Sequence, residues 1–166
     1  MPNRLPTCCS QWVIRILYLK TTPMENREYS LQELTSRAET YCARAEHCAS
    51  EVRTKIRAWG GTLAQAETII SHLYDNHYLD DVRYCRAYTH DKLLYQHWGK
   101  IKIRAMLQAR QLPSSEIQSA LQNIDETEYN RILLALLATK KNATREAQIR
   151  FLLQRGFDYC DIRRYV

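Results

Sequence analysis

The stretch Ile56-Arg57-Ala58-Trp59-Gly60-Gly61-Thr62-Leu63-Ala64-Gln65-Ala66 decides the fold class. Its first four residues end a helical run, and two glycines stop it. Thr62, with Gln65 three residues later, then opens the next helix by a capping box. Working outward, the same pattern recurs. Ile56, Leu107 and Leu152 hold one slot, and four residues on, at a helix end, stand Gly60, Gln111 and Gly156. Five residues on are Gly61, Leu112 and Phe157; ten on are Ala66, Ile117 and Ile162; fourteen on are Ile70, Leu121 and Val166. One matching slot means little, but several in step indicate an internal repeat. Each copy has room for three short helices.

The flanking sequence supports helices throughout. Ser30 with Glu33 is a second capping box, and Leu31, Leu34, Ala38, Tyr41, Cys42 and Ala45 follow at helical spacing to about Arg44. A helix from about Cys48 to Trp59 precedes the glycines. Asp80 and Asp81 suit the positive end of a helix dipole, and that helix runs to roughly Gln96. Further helices start near Gly99, at Pro113 with its two serines, and at Asp125 with Glu128. The last of these carries Tyr129, Ile132, Leu133, Leu136 and Leu137 as one apolar stripe. Residues 144–155 and 158–165 give two more. The expectation is nine helices and no strand: an all-α chain of three tandem three-helix repeats forming an elongated, curved body. The units are 30–76, 77–123 and 124–166. A unit this small buries too little surface to stand alone, so neighbours lean on one another.

Composition narrows the function. The 4 Gly and 4 Pro in 166 residues leave little turn punctuation, which favours helices on short connections. The net charge is +6, and residues 1–23 supply +3 of it through Arg4, Arg15 and Lys20 with no acid. A polyanionic partner is compatible with that balance, as is an ordinary solvated surface. Residues 1–29 read as a leader or tail, with Met24 the expected natural start. The apolar run Trp12–Leu19 is broken by Arg15 and too short to span a bilayer. The 6 cysteines form no C-x-x-C pair, which suits reduced thiols in a cytosolic protein. Cys48 and Cys85 read as small buried residues at apolar helix positions. No G-x-S-x-G, phosphate-binding glycine loop or H-E-x-x-H occurs, and the histidines lack partner ligands at metal spacing. No catalytic residue, cofactor or metal is expected.

Three tracts are more distinctive than helix caps require: His77-Tyr78-Leu79-Asp80-Asp81-Val82-Arg83-Tyr84, Trp98-Gly99-Lys100-Ile101-Lys102-Ile103-Arg104 and Arg150-Phe151-Leu152-Leu153-Gln154-Arg155-Gly156-Phe157. In this order they resemble the RecX family of bacterial recombination regulators. That family shows a G-[YF]-[LI]-D-[DE]-x-R-[YF] tract, a G-x-x-x-[IL] helix start and a terminal R-F-L-x-x-R-G-F. The resemblance covers about residues 30–166. Trp98-Gly99 and the Asp125–Tyr129 helix start look like the Bacteroidetes-type branch. Asn76-His77 stands where the first tract usually has Gly, which puts that turn in question. The resemblance implies tandem three-helix repeats that bind the RecA recombinase and its filaments on single-stranded DNA. It also implies inhibition of strand exchange and ATP hydrolysis, with direct DNA binding and no enzyme activity. The expected protein is a cytoplasmic monomer with no membrane association.

The candidate contacts are Arg83 and Arg86 on the fourth helix, Lys100, Lys102 and Arg104 on the fifth, and Arg150 and Arg155 in the third copy. Lys100 and Arg104 share a helix face, and solvated surface is the ordinary alternative for all seven. Asp80, Asp81, Gly99, Gly156 and Phe157 read as structural motif residues, and Leu112, Trp59 and Trp98 as packing. A nucleic-acid-binding helical module with no recombinase partner is the rival reading; its binding should fall steeply with salt.

Overall fold

A computed structural model describes residues 29–166. Met24, the Trp12–Leu19 run, Cys8, Cys9 and the cations Arg4, Arg15 and Lys20 lie outside the described residues. Among those described, every regular element is an α-helix: α1 Leu31–Cys42, α2 Ala49–Ala58, α3 Leu63–Asp75, α4 Asp81–Leu94, α5 Lys100–Gln108, α6 Ser114–Gln122, α7 Glu126–Ala138, α8 Arg145–Gln154 and α9 Tyr159–Ile162. The first and third carry the anticipated capping boxes. Ser30 Oγ accepts from Glu33 N, Thr62 Oγ1 accepts from Gln65 N, and the Glu33 and Gln65 side chains return the bond to the cap amides. Asp80 caps α4 by accepting from Arg83 N at 2.9 Å.

Several boundaries differ from the sequence reading. The helix expected at 158–165 is regular only over Tyr159–Ile162, because its carbonyls pass into tighter turns at Arg164 and Tyr165. The fourth helix stops at Leu94, short of Gln96, where the chain swings to positive φ at His97. Cys48 is buried but is the N-cap of α2 and not a position within it. Burial pushes the thiols of Cys42 and Cys85 up to about 11. They therefore stay protonated and pack as small apolar groups.

The turns that end α2, α5 and α8 are one turn used three times. Gly60, Gln111 and Gly156 have φ of +92°, +63° and +85°. In each turn the next amide reaches back to the carbonyl five residues earlier: Gly61 N to Ile56 O at 3.0 Å, Leu112 N to Leu107 O at 3.5 Å, and Phe157 N to Leu152 O at 3.2 Å. This is a Schellman closure, which satisfies carbonyls the helix end leaves open. Ile56, Leu107 and Leu152, which supply those carbonyls, are fully buried. His77, where the first tract departs from glycine, also has positive φ, at +57°. Histidine tolerates the left-handed region better than most side chains, so the turn survives the departure.

Helices pack mainly within groups of three. α2 lies on α3 and α1 on both; α4 and α5 share α6; α7 meets α8, and α8 meets α9. The apolar interiors divide differently. Leu34, Val52, Ile56, Ile69 and Leu73 belong to one core in the first group. A second, continuous core runs through the other two groups, from Cys85, Ile103 and Ile117 to Tyr129, Leu133, Phe157 and Ile162. Two groups thus share an interior and the first has mostly its own, with Cys48 reaching into the larger core and Leu79 into the smaller one.

Candidate partner-binding face

Three of the expected contact residues, Lys100, Lys102 and Arg155, meet around the start of α5. Helix starts leave free amides, and here the turn after α8 satisfies them. Gly99 N donates to Arg155 O at 2.8 Å and Ile101 N donates to Gly156 O at 3.0 Å. The approach is backbone on backbone. A Cβ on Gly99 would collide with the Gly156 carbonyl and Phe157 N, and one on Gly156 with the Lys102 backbone. The glycines of the second and third signature tracts therefore meet each other, and each is required by the close approach. Phe157, just beyond, is buried with its ring centroid 5.2 Å from that of Tyr129.

This junction engages several predicted cations. Lys100 pairs with Glu126 at the start of α7, and its Nζ sits 4.6 Å from the Tyr129 ring centroid. Lys102 Nζ lies 4.4 Å over Trp98. Arg155 donates to Gln96 O at 3.1 Å and covers the Phe151 ring. Arg83 points elsewhere, donating to Glu46 at 3.0 Å and to His77 O at 3.2 Å. Arg86, Arg104 and Arg150 are exposed, and no ion pair engages them among the described residues. Of the seven predicted cations, the structure thus gives four an internal partner and leaves three facing outward. Trp59 and Trp98 are both half-buried.

Asp81 does more than sit at a helix start: it accepts from Tyr74 OH at 2.8 Å, joining α3 to α4. Burial, reinforced by Asp81, pushes the Tyr74 phenol well above its usual range. Beside it lies a hub that sequence reasoning missed. Glu51 accepts from Tyr84 OH at 2.8 Å and from Arg110 Nε at 3.2 Å, and His47 Nδ1 lies 3.2 Å from its other oxygen. Burial alone would raise the Glu51 pKa, but these three partners outweigh it and hold the carboxyl below the usual glutamate range. Glu51 and Tyr84 belong to two different helices and Arg110 to the turn after α5, at irregular spacing, so no periodic pattern marks them. Among the described residues, no group of three or more His, Cys, Asp or Glu is placed to hold a metal ion, and no helix is long and apolar enough to cross a membrane.

Comparison with known proteins places this architecture. A family model described as "RecX, second three-helix domain" matches residues 80–121. The regulatory protein RecX of Thermus thermophilus is 30% identical over 115 residues, covering 69% of this chain and 77% of that one. Its namesake from Leptothrix cholodnii is 29% identical over 129 residues, covering 75% and 81%. Among solved structures, the crystal structure of RecX from Lactobacillus salivarius superposes with a TM-score of 0.66 over 81% of this chain and 92% of that one. At 18% identity that likeness establishes the fold, a helical repeat.

Proposed function

Since the chain belongs to the RecX family of regulatory proteins, we propose that it binds the RecA recombinase and its filament on single-stranded DNA and restrains strand exchange and ATP hydrolysis. In this reading it acts without catalysis, as a cytoplasmic monomer, through three repeat units bounded near 76 and 123. The observation that carries the reading is the Gly99–Gly156 contact. It joins α5 to the turn after α8 through backbone bonds over a shared core, so that the helices from α4 to α9 act as one body. On that body the exposed Arg86, Arg104 and Arg150 are the proposed direct contacts. Lys100, Arg155 and Arg83 hold the units in place through the partners they already have, and Lys102 covers Trp98 within its own unit. A rigid body spanning two units is suited to touching successive protomers of a filament, because the orientation cost is met once for both contacts.

The rival is a nucleic-acid module that needs no recombinase. Binding to RecA-coated single-stranded DNA, compared with bare DNA at matched salt, separates the two. The filament should be bound more tightly and with the shallower salt dependence. Equal affinity for both, falling steeply with salt, would favour the rival.

A further inference from the structure

The first unit carries a basic cleft that none of the signature tracts touches. It measures about 600 Å³ between α1 and α2, and its walls include Ser36, Arg37, Tyr41, Arg44, Lys55 and Trp59, with no carboxylate in the lining. The Arg37 guanidinium lies against two rings, 4.5 Å from the Tyr29 centroid and 4.7 Å from that of Trp59. Lys55 Nζ stands 5.7 Å from the Tyr41 ring. No ion pair engages Arg37, Arg44 or Lys55 among the described residues.

This bareness is not a matter of unit composition, because residues 30–76 hold 5 Lys and Arg against 6 acids. It arises because four of those acids are engaged by other partners. Glu39 lies against His72 at 2.7 Å, Glu67 pairs with Arg53, Glu46 with Arg83, and Glu51 with Arg110. Three of the five cations, Arg37, Arg44 and Lys55, are thereby left together along the cleft. A guanidinium stacked on aromatic rings keeps its in-plane N–H donors free to bond, and their fork matches phosphate oxygens. A second cleft, of about 640 Å³, shares Tyr41 and Lys55, passes the Glu51 carboxylate that Tyr84 and Arg110 engage, and extends to Ala109 and Arg110 after α5. The path therefore crosses from the first unit to the second and is longer than one isolated anion needs.

We propose that this cleft holds the phosphodiester backbone of single-stranded DNA, so that the first unit grips the strand while the other two face the protein. Naming DNA rests on the filament reading above. The chemistry on the page is fixed cations interleaved with aromatic rings along a groove, which is how single strands are held without sequence preference. The test uses the full chain and labelled oligo(dT), with no recombinase present. Its failure would therefore sink the cleft and leave the filament reading standing; a failed filament experiment would not touch its result.

The double variant Arg37→Glu/Lys55→Glu should weaken oligo(dT) binding by about tenfold or more, and lower the salt slope by roughly 1.4 for two lost phosphate contacts. Lys141→Glu, far along the chain at an exposed position, should change the affinity little. Unchanged affinity in a folded double variant would overturn the proposal. So would tighter binding of the wild-type chain to a poly-glutamate peptide of equal charge. Should the double variant fail to fold, acetylation of the wild-type protein decides: oligo(dT) should shield Lys55 and not Lys141, and undiminished modification of Lys55 would be the contrary result.

Discussion

The two junctions in this molecule are built from opposite materials. Between the first and second units the links are polar side chains: Tyr84 and Arg110 on Glu51, Arg83 on Glu46, and Tyr74 on Asp81. The apolar interior divides into two cores there, bridged by only a few buried residues such as Cys48 and Leu79. Between the second and third units the links are backbone amides and carbonyls pressed together at two glycines, above one uninterrupted core. A side-chain junction yields to charge and pH and can be loosened gradually. A backbone junction depends on space and fails when a single atom is added. The second and third units are thus held as one body, while the first is attached through groups that solution conditions reach.

The largest effect should come from adding that atom. Gly156 and Gly60 occupy the same turn with nearly the same φ, but a Cβ on Gly60 meets nothing within 4 Å, whereas one on Gly156 strikes Lys102. Gly60→Ala should cost about 1–2 kcal/mol, the strain of left-handed backbone alone. Gly156→Ala should cost about 3–5 kcal/mol, because overpacking adds to that strain. Chemical denaturation measures both, and equal losses would break the distinction between the junctions.

Next in size is Glu51→Ala, which leaves Arg110 and the Tyr84 hydroxyl without their acceptor and should cost about 2 kcal/mol. Hydrogen exchange should rise chiefly in α1–α3 and leave α7–α9 protected. Uniform loss of protection would mean the junctions are not independent. Acid should act on the same place. The Glu51 pKa is lowered in the folded state, so its stabilisation is complete above the ordinary glutamate value and is lost as the pH falls through the depressed one. The first unit should therefore open before the other two during acid titration followed by hydrogen exchange. The smallest effect is a gain. Gln111 occupies the left-handed slot without being glycine, and Gln111→Gly should stabilise by about 0.5 kcal/mol once relief of strain is set against chain entropy.

Local grammar made much of this legible in the sequence. The capping pairs Ser30–Glu33 and Thr62–Gln65 and the slot shared by Gly60, Gln111 and Gly156 are short-range features, and each sits where its chemistry requires. The sequence put Gln111 at the same helix-end slot as two glycines, and the positive φ at all three is what that slot requires. What spacing does not encode is which distant groups meet. Gly99 and Gly156 were each read as helix punctuation, although their mutual contact is what makes glycine necessary. Arg83, Lys100, Lys102 and Arg155 were grouped as contact candidates by charge, and only the fold shows that each has an internal partner. The bare cations of the first unit were invisible for the converse reason: an even balance of acids hides a basic cleft when those acids are paired elsewhere.

The most direct test of the central claim is DNA-dependent ATP hydrolysis by the RecA of the same organism, titrated with this chain. The filament reading predicts depressed turnover at substoichiometric protein, since one bound molecule spans more than one protomer. Undiminished hydrolysis at equimolar protein would contradict it.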